Sequence, residues 1–587
     1  MKPQPEASPL PPLRVGFLSD GLIVDAWVER MLARIDDAEY AEIALLVLSG
    51  NPRSDAEPPG VPRSPLRHRM LKHLNDPGVI GERSAFEPQS IQDRYAHVPR
   101  IRLESRKSSV DPCTEAEMTR LRSHGLDVLL CMNLRLMPDG ISAIARYGVW
   151  SLIGGDGRDT LGGSVGIREV LEGTPTSGAA LIRLVSGTGR AEELDRTRTA
   201  THPTSISHNR ETLSWTALSL VPRALKRLHR DGEKTLSIQR GESATTLNAA
   251  DPKTESLESM SLPGLTTRLL GLWTRRMRRS LRHRLYEEQW HLRYAFENSP
   301  SLGFARFASL RSPGDRFWAD PMPVYHDGRW HIFFEDYRPA VGRGRISMIS
   351  FDENLAPQPA REALVRPYHL SYPHVFHWDD RLWMIPETAS NRTVELYECL
   401  GFPDQWELRR QVLRDHYIVD STLVRHGTTW YLFTNEVENP GASSWTETFL
   451  YLNQGDLLDG DWTPHPDNPI RSDATCARPA GPLFHKDGKL FRPAQDCSRR
   501  YGGAMVIHEI TEMSPERYAE HTVARIQADW EPGLQGTHTF SHRPGLTVID
   551  VLREVPRSKI WKRMPDWVHR ALTRPLMTSP KDRKERG

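Results

Sequence analysis

Over the first third of the chain, apolar runs alternate with helical periodicity. The run "LRVGFLSDG" (13–21) leads into "VDAWVERMLARI", and a second run, "AEIALLVLS" (41–49), follows. Strand, helix, strand at this spacing makes a βαβ unit, which predicts a parallel sheet. A polar stretch near 50–120 reads as loop-rich, and "GLDVLLCMN" (125–133) supplies another buried strand. The segment "DGISAIARYG" then reads as a helix capped at Gly148.

Between 233 and 264 the chain turns polar and loses its period, as a flexible linker does. Leu269, Trp273, Met277, Leu281 and Leu285 follow at intervals of four, with Arg268, Arg275, Arg276, Arg278, Arg279, Arg282 and Arg284 among them. This predicts a basic amphipathic helix, assigned to 265–300. Its apolar stripe fits either a neighbouring protein surface or an anionic lipid surface.

Past residue 300 the period changes to short alternating runs rich in tryptophan. Four stretches repeat one pattern: "ADPMPVYHDGRWHIFFEDY" (319–337), "SYPHVFHWDDRLWMIPET" (371–388), "VDSTLVRHGTTWYLFTNE" (419–436) and "RPAGPLFHKDGKLFRPAQD" (478–496). A degenerate fifth copy is "GTHTFSHRPGLTVID" (536–550). Each is a strand, a tight turn and a second strand, so the repeat predicts a five-bladed β-propeller over 301–555. The organisation expected is a disordered N-terminus (1–12), an α/β domain (13–232), the linker, the helix, the propeller and a basic tail (556–587).

Composition changes this picture little. At 587 residues more than one core is expected, and a net charge of +2 gives no reason to expect nucleic-acid binding. No apolar run reaches the roughly 18 residues a membrane span needs. The N-terminus "MKPQPEASPLPPL" lacks the apolar core of a signal peptide, and the five cysteines are scattered. These features predict a cytoplasmic protein with reduced thiols. The helix and the basic segment "SKIWKRMPDWVHRALTRP" (558–575) add the option of peripheral contact with an anionic inner membrane surface.

The order "DVLLCMN", helix, "YGVWS", glycine-rich loop and "GIREVLEGTPTSGAALIRL" resembles the N-terminal domain of the formyltransferase family. The resemblance implies a Rossmann-like α/β domain and transfer of a formyl group from formyl-tetrahydrofolate to an amine. The family's asparagine, histidine and aspartate fall at Ser151, Ile153 and Gly187. Isoleucine cannot carry a proton and glycine has no side chain, so the resemblance implies the fold without the chemistry, and no cofactor is expected.

The segments "FWADP", "SYPHVF", "IPETASNRTVELYEC", "FPDQWEL" and "VDSTLV" resemble the propeller domain of plant glucosamine inositolphosphorylceramide transferases. More distantly, the repeat is similar to arabinanase and β-xylosidase propellers. These resemblances imply a sugar, nucleotide-sugar or glycolipid ligand, and not by themselves catalysis. Strand starts and ends of the repeat bring polar residues to one mouth of the axis. There Asp320 is the candidate base, Glu387 the candidate acid and Asp420 a third carboxylate, since glycoside cleavage needs a paired acid and base. Trp318, Glu335, Asp336, Arg345, Tyr372, His374, Arg392, Arg492, Asp496 and His538 are candidate substrate contacts. The hydrolases carry aspartate, aspartate, glutamate along the chain where this one has aspartate, glutamate, aspartate, which leaves the roles open. His374, His377 and His538 lack metal-ligand spacing, so no metal is expected. Three functions stay open: glycan or glycolipid assembly or processing, a non-catalytic adaptor, and a sugar-nucleotide formyltransferase.

Overall fold

A computed structural model describes residues 10–49, 83–104, 113–133, 140–154, 165–184, 191–237, 261–557, 565 and 567–569. The chain divides into two compact units, Met1–Leu272 with Asn439–Ala442, and Trp273–Glu438 with Ser443–Gly587.

The first unit is built on a seven-stranded sheet: β1 (Leu13–Ser19), β2 (Ala41–Leu48), β3 (Arg100–Arg102), β4 (Val128–Cys131), β5 (Val149–Gly154), β6 (Thr176–Leu184) and β7 (Ala191–Ala200). Its order is β3-β2-β1-β4-β5-β6-β7, parallel up to β5 and antiparallel beyond. Alternation along β1 sends Val15 and Phe17 into one core and Leu18 into another. Trp27, Met31 and Leu32 of the helix Ala26–Asp36 fill the first core, and Met118 and Leu121 of the helix Glu115–Arg122 fill the second. Helices thus cover both faces, as in a doubly wound α/β fold. The second helix starts on a capping box in which Thr114 Oγ1 accepts from Glu117 N and Glu117 accepts from Thr114 N.

Two sequence expectations need correction. The helix read in "DGISAIARYG" is only a 3-10 turn, Ile141–Ala143, because Gly140 and Gly148, both at positive φ, leave a segment too short to sustain an α-helix. The basic helix runs Leu262–Leu285 and does not continue to 300; Tyr286–Ala295 is a strand. From Tyr286 the buried positions Tyr286, Trp290 and Leu292 fit a period of two, and all ten residues pair with Leu546–Pro556. Of the expected linker, Gly232–Ser237 is a 3-10 turn, and 238–260 lie outside the described residues, as do 1–9 and most of the basic tail. The five cysteines form no disulfide.

The second unit is the five-bladed propeller. Blade one is Phe317–His326, Arg329–Arg338, Arg343–Ser350 and Arg361–Leu364; blade two is Ser371–Trp378, Arg381–Thr388, Thr393–Gly401 and Gln405–Arg414. Blade three comprises Ile418–His426, Thr429–Glu436, Glu447–Asn453 and Thr463–Pro464, with Arg471–Ser472 also pairing; blade four comprises Phe484–Lys486, Lys489–Asp496, Ala504–Met513 and Tyr518–Gln527. Blade five takes Phe540–Arg543 and Leu546–Pro556 from the end of the repeat, Tyr286–Ala295 and Ala308–Leu310 from its beginning, and Leu534–Gly536. The ring is closed by hydrogen bonds between its two chain ends.

Apolar clusters fill the gaps between neighbouring blades. Phe333 and Met348 meet Val375 and Met384 between blades one and two, and Trp383 and Leu396 meet Leu432 and Tyr451 between two and three. Phe433 meets Leu483 between three and four, Met505 meets Phe540 between four and five, and Val548 meets Ile332 between five and one. The inner hairpins turn on Asp327-Gly328, Asp379-Asp380 and Asp487-Gly488, each at positive φ, as tight hairpins require.

Candidate functional site

The inner strands of the first three blades share a local irregularity. Their pairing slips between Ala319 and Met322, Ser371 and His374, and Val419 and Thr422. Within each slip one residue is left-handed: Asp320 at φ 52°, Tyr372 at 42° and Asp420 at 52°. Aspartate tolerates that region, whereas a tyrosine there is strained and must be held by its surroundings. In blade four the matching residue is Gly481 at φ 127°, where a Cβ would stand 2.2 Å from the Phe540 carbonyl oxygen, so only glycine fits.

Contacts among these residues tie the five blades together. Asp320 accepts hydrogen bonds from Thr539 Oγ1 (2.9 Å) and the Tyr372 amide (3.3 Å), and its own amide donates to Asp550 Oδ2 (3.1 Å). The Tyr372 hydroxyl meets Thr422 Oγ1 at 2.8 Å and accepts from the Gly481 amide at 2.7 Å. Asp420 Oδ2 accepts from Arg478 Nε at 2.5 Å and Gln495 Nε2 at 3.1 Å. Arg478 Nη2 also lies 3.8 Å from Glu387 Oε2.

Four carboxyl groups, Asp320, Glu335, Glu387 and Asp420, sit within electrostatic reach of one another. Burial, then the charges of Asp320 and Glu387, holds the Glu335 carboxyl well above its ordinary value. Burial and the Asp420 charge do the same for Glu387. Asp420 is raised by burial, with Arg478 opposing. Glu387 and Asp420 share a hydrogen bond. Because the guanidinium abuts Asp420, the shared proton resides on Glu387. Asp320 differs: burial alone would raise it, but the His538 charge and hydrogen bonds from His538 and Thr539 bring it below the ordinary value.

His538 Nε2 lies 3.1 Å from Asp320 Oδ1 and Nδ1 lies 2.9 Å from Asp550 Oδ2, the second contact lacking hydrogen-bond alignment. Burial opposes its charge, yet the two carboxylates push the imidazole up to about 10. Ligand atoms of Asp320, His538 and Asp550 fall within 4.8 Å of one another, a spacing that a metal ion could use. A metal-bound imidazole must lose that proton, and both ring nitrogens already face carboxylates. The donor set therefore reads as an imidazolium clamped between two anions.

The five candidates Asp320, Glu335, Glu387, Asp420 and His538 are thus brought together, with Glu335 and Glu387 the most accessible carboxylates at 9% and 10% side-chain exposure. The other candidates have internal partners. Trp318 packs on Phe334 in the core between blades five and one, leaving no face for a sugar. Tyr372 is inaccessible and braces the ring. His374 Nε2 meets the Leu423 carbonyl at 2.9 Å, and burial, followed by the Arg543 charge, lowers its pKa to about 3. Arg492 grips Glu520 with two bonds of 2.8 and 2.7 Å. Asp336 faces Arg316 and Arg345, and Arg345 also pairs with Glu362. Asp496 pairs with Arg525, and Arg392, left-handed at φ 57°, donates to the Asp415 carbonyl. In the first unit, Ser151 is buried with no hydrogen-bond partner for its hydroxyl, and Ile153 packs on Ala180 and Ile182; Gly187 lies outside the described residues.

Sequence reasoning missed Arg478 and Tyr501. The Tyr501 ring takes the Arg478 guanidinium at 4.9 Å and lies 5.2 Å from the His538 ring. The signal for Arg478 was the fourth repeat, which has glycine at the left-handed position and an arginine three residues earlier. Tyr501 lies in a loop between repeat elements and carried no comparable signal.

The propeller matches a known family model. Residues 287–537 fit the one described as "Glucosamine inositolphosphorylceramide transferase 1, N-terminal". The match opens on the strand Tyr286–Ala295, as the observed end of the helix requires, and stops just short of His538. The protein of that name from Oryza sativa subsp. japonica is 34% identical over 207 residues, 35% of this chain and 27% of the rice protein. The Arabidopsis thaliana protein is 31% identical over 225 residues, 38% of this chain and 29% of its own length. The chain therefore spans less than a third of these relatives. Among solved structures, a β-xylosidase is similar over 40% of this chain and 94% of its own, with 9% identity and a TM-score of 0.29.

Proposed function

We propose that the propeller binds a glycosyl unit of a glycolipid or glycan at the axis and carries acid–base chemistry on it. The observation behind this reading is one buried cluster in which burial and neighbouring carboxylates raise Glu387 and Glu335 well above the ordinary range while His538 and Thr539 bring Asp320 below it. A buried protonated carboxyl beside an ionised one is the arrangement that glycosyl chemistry uses to protonate a leaving oxygen and steady positive charge on the sugar. Glu387 is assigned as proton donor. Asp320, with three of its roughly four acceptor sites engaged, keeps one for a sugar hydroxyl or a water. Asp420 and Arg478 fix where the Glu387 proton sits. Tyr501, only partly covered, offers a ring for a sugar face to stack upon.

The relatives are named glucosamine inositolphosphorylceramide transferases, which favours a glycolipid among the ligands considered. For the first unit, the reading is a formyltransferase-like frame without the transfer chemistry, supported by apolar packing around Ile153. The experiment is turnover by the whole chain on inositolphosphoryl-lipids with nucleotide sugars, and on aryl glycosides, alongside Glu387→Gln and Asp320→Asn. Product from the wild type that disappears in Glu387→Gln, with sugar binding kept, supports acid catalysis. Binding without turnover in every chain reduces the propeller to a recognition module.

A further inference from the structure

The two halves of the helix Leu262–Leu285 are treated differently by the fold. Leu265 and Leu272 are 2% and 0% exposed and pack with Ile167, Val170, Leu171 and Ile206. Beyond Leu272, Trp273, Met277 and Leu281 recur at every fourth residue and stand 55%, 53% and 42% exposed. They form a stripe about 12 Å long, at 1.5 Å per residue. The same half carries Arg275, Arg276, Arg278, Arg279, Arg282 and Arg284 and no carboxylate. Near its end Glu554 pairs with Arg282, Glu288 pairs with Arg500 at 2.6 Å, and Glu287 lies 3.9 Å from Arg557. Immediately after the helix, the Tyr286 hydroxyl meets His569 Nδ1 at 2.5 Å. That contact brings in a short turn whose Trp567 is 68% exposed.

We infer that Trp273–Leu285, with Trp567 beside it, is a docking face for an anionic lipid surface. An apolar stripe destined for protein is covered, as the first half of this helix is. One bordered by arginines and by exposed tryptophans suits the boundary between headgroups and acyl chains, where the rings lie at the interface and the guanidinium groups reach lipid phosphate. Among the described residues no helix is long and apolar enough to cross a membrane, so the contact is made along the helix side. Its test needs no turnover.

The whole chain is floated with phosphatidylcholine vesicles, with and without phosphatidylserine, at low and high salt. The wild type is expected to rise with the anionic vesicles at low salt, to stay behind with the neutral ones, and to be released by salt. Trp273→Ser, Met277→Ser and Leu281→Ser combined should weaken binding about tenfold or more, and Arg284→Glu, at an exposed position, should weaken it less. Unchanged thermal midpoints confirm intact folding, and if the triple variant loses its midpoint, Arg284→Glu alone decides. Equal flotation with neutral vesicles, none with anionic ones, or no change in a folded variant overturns the inference. So does a dimer in sedimentation that only the triple variant dissolves, which assigns the stripe to self-association.

Discussion

Two of the buried charge clusters in the propeller are built to opposite ends. In blade four one carboxylate, Glu520, is shared by Arg492 and Arg471, with the Tyr518 hydroxyl also donating at 2.6 Å. Burial alone would raise Glu520, yet the arginines and His508 hold it well below the ordinary range. At the axis the five carboxyl groups of Asp320, Glu335, Glu387, Asp420 and Asp550 have, among the described residues, Arg478 and His538 as their cations, while His369, 3.5 Å from Glu335, has its pKa lowered by burial. There the surplus acids are left to share protons. A saturated cluster is a rivet, whereas one with more acids than counter-charges holds protons that can move.

The sharpest break in this contrast comes from exchanging acid for amide in each cluster. Glu387→Gln should cut turnover by about 10²–10⁴-fold while leaving the thermal midpoint nearly unchanged, read by steady-state kinetics beside calorimetry. Glu520→Gln should do the reverse, costing about 3–5 kcal/mol of stability because the buried Arg492 and the half-buried Arg471 lose their anion. Equal loss of stability in both variants would erase the distinction.

Acidity offers a second handle. His538 keeps its proton to about 10 in the folded chain but to about 6.5 unfolded, so its contribution is whole below pH 6.5 and drains away as pH rises toward 10. Raised carboxyls act in the same direction, since Glu335 and Glu387 favour the folded state less once pH passes their unfolded value near 4.5. Denaturant midpoints should therefore fall between pH 6.5 and 10, and His538→Gln should flatten that slope. The smallest effect expected is at Tyr501. Tyr501→Ala should weaken sugar binding about tenfold, and Tyr501→Phe, which keeps the ring, should bind nearly as the wild type does.

How much of this the sequence disclosed depends on the range of the interaction. Alternation within "RWHIFFEDY" and the turns "HDGR", "WDDR", "HGTT" and "KDGK" are local, so the blades could be read directly. The inner carboxylates followed because repeats place equivalent residues alike: Asp320 and Asp420 occupy one structural position. Arg478 and Tyr501 were missed because each reaches the cluster from a place the repeat does not mark. Trp318 and Arg492 misled for a related reason. Both lie beside strand positions near the mouth, but one side chain turns into the gap between blades and the other toward Glu520, and a period of two cannot tell a neighbour's cavity from the axis. Helix and strand also met without a break at Leu285 and Tyr286, where neither proline nor glycine marks the change.

The closure of blade five has a consequence for how the protein is made. Trp290 pairs with Leu552, so the strand Tyr286–Ala295 leaves the ribosome long before its partner exists. At about 5–20 residues per second that wait is on the order of tens of seconds, during which an unpaired strand edge is open to other chains. Glu287 and Glu288, both exposed on that strand, are suited to guard it, since like charges discourage two nascent copies from pairing edge to edge.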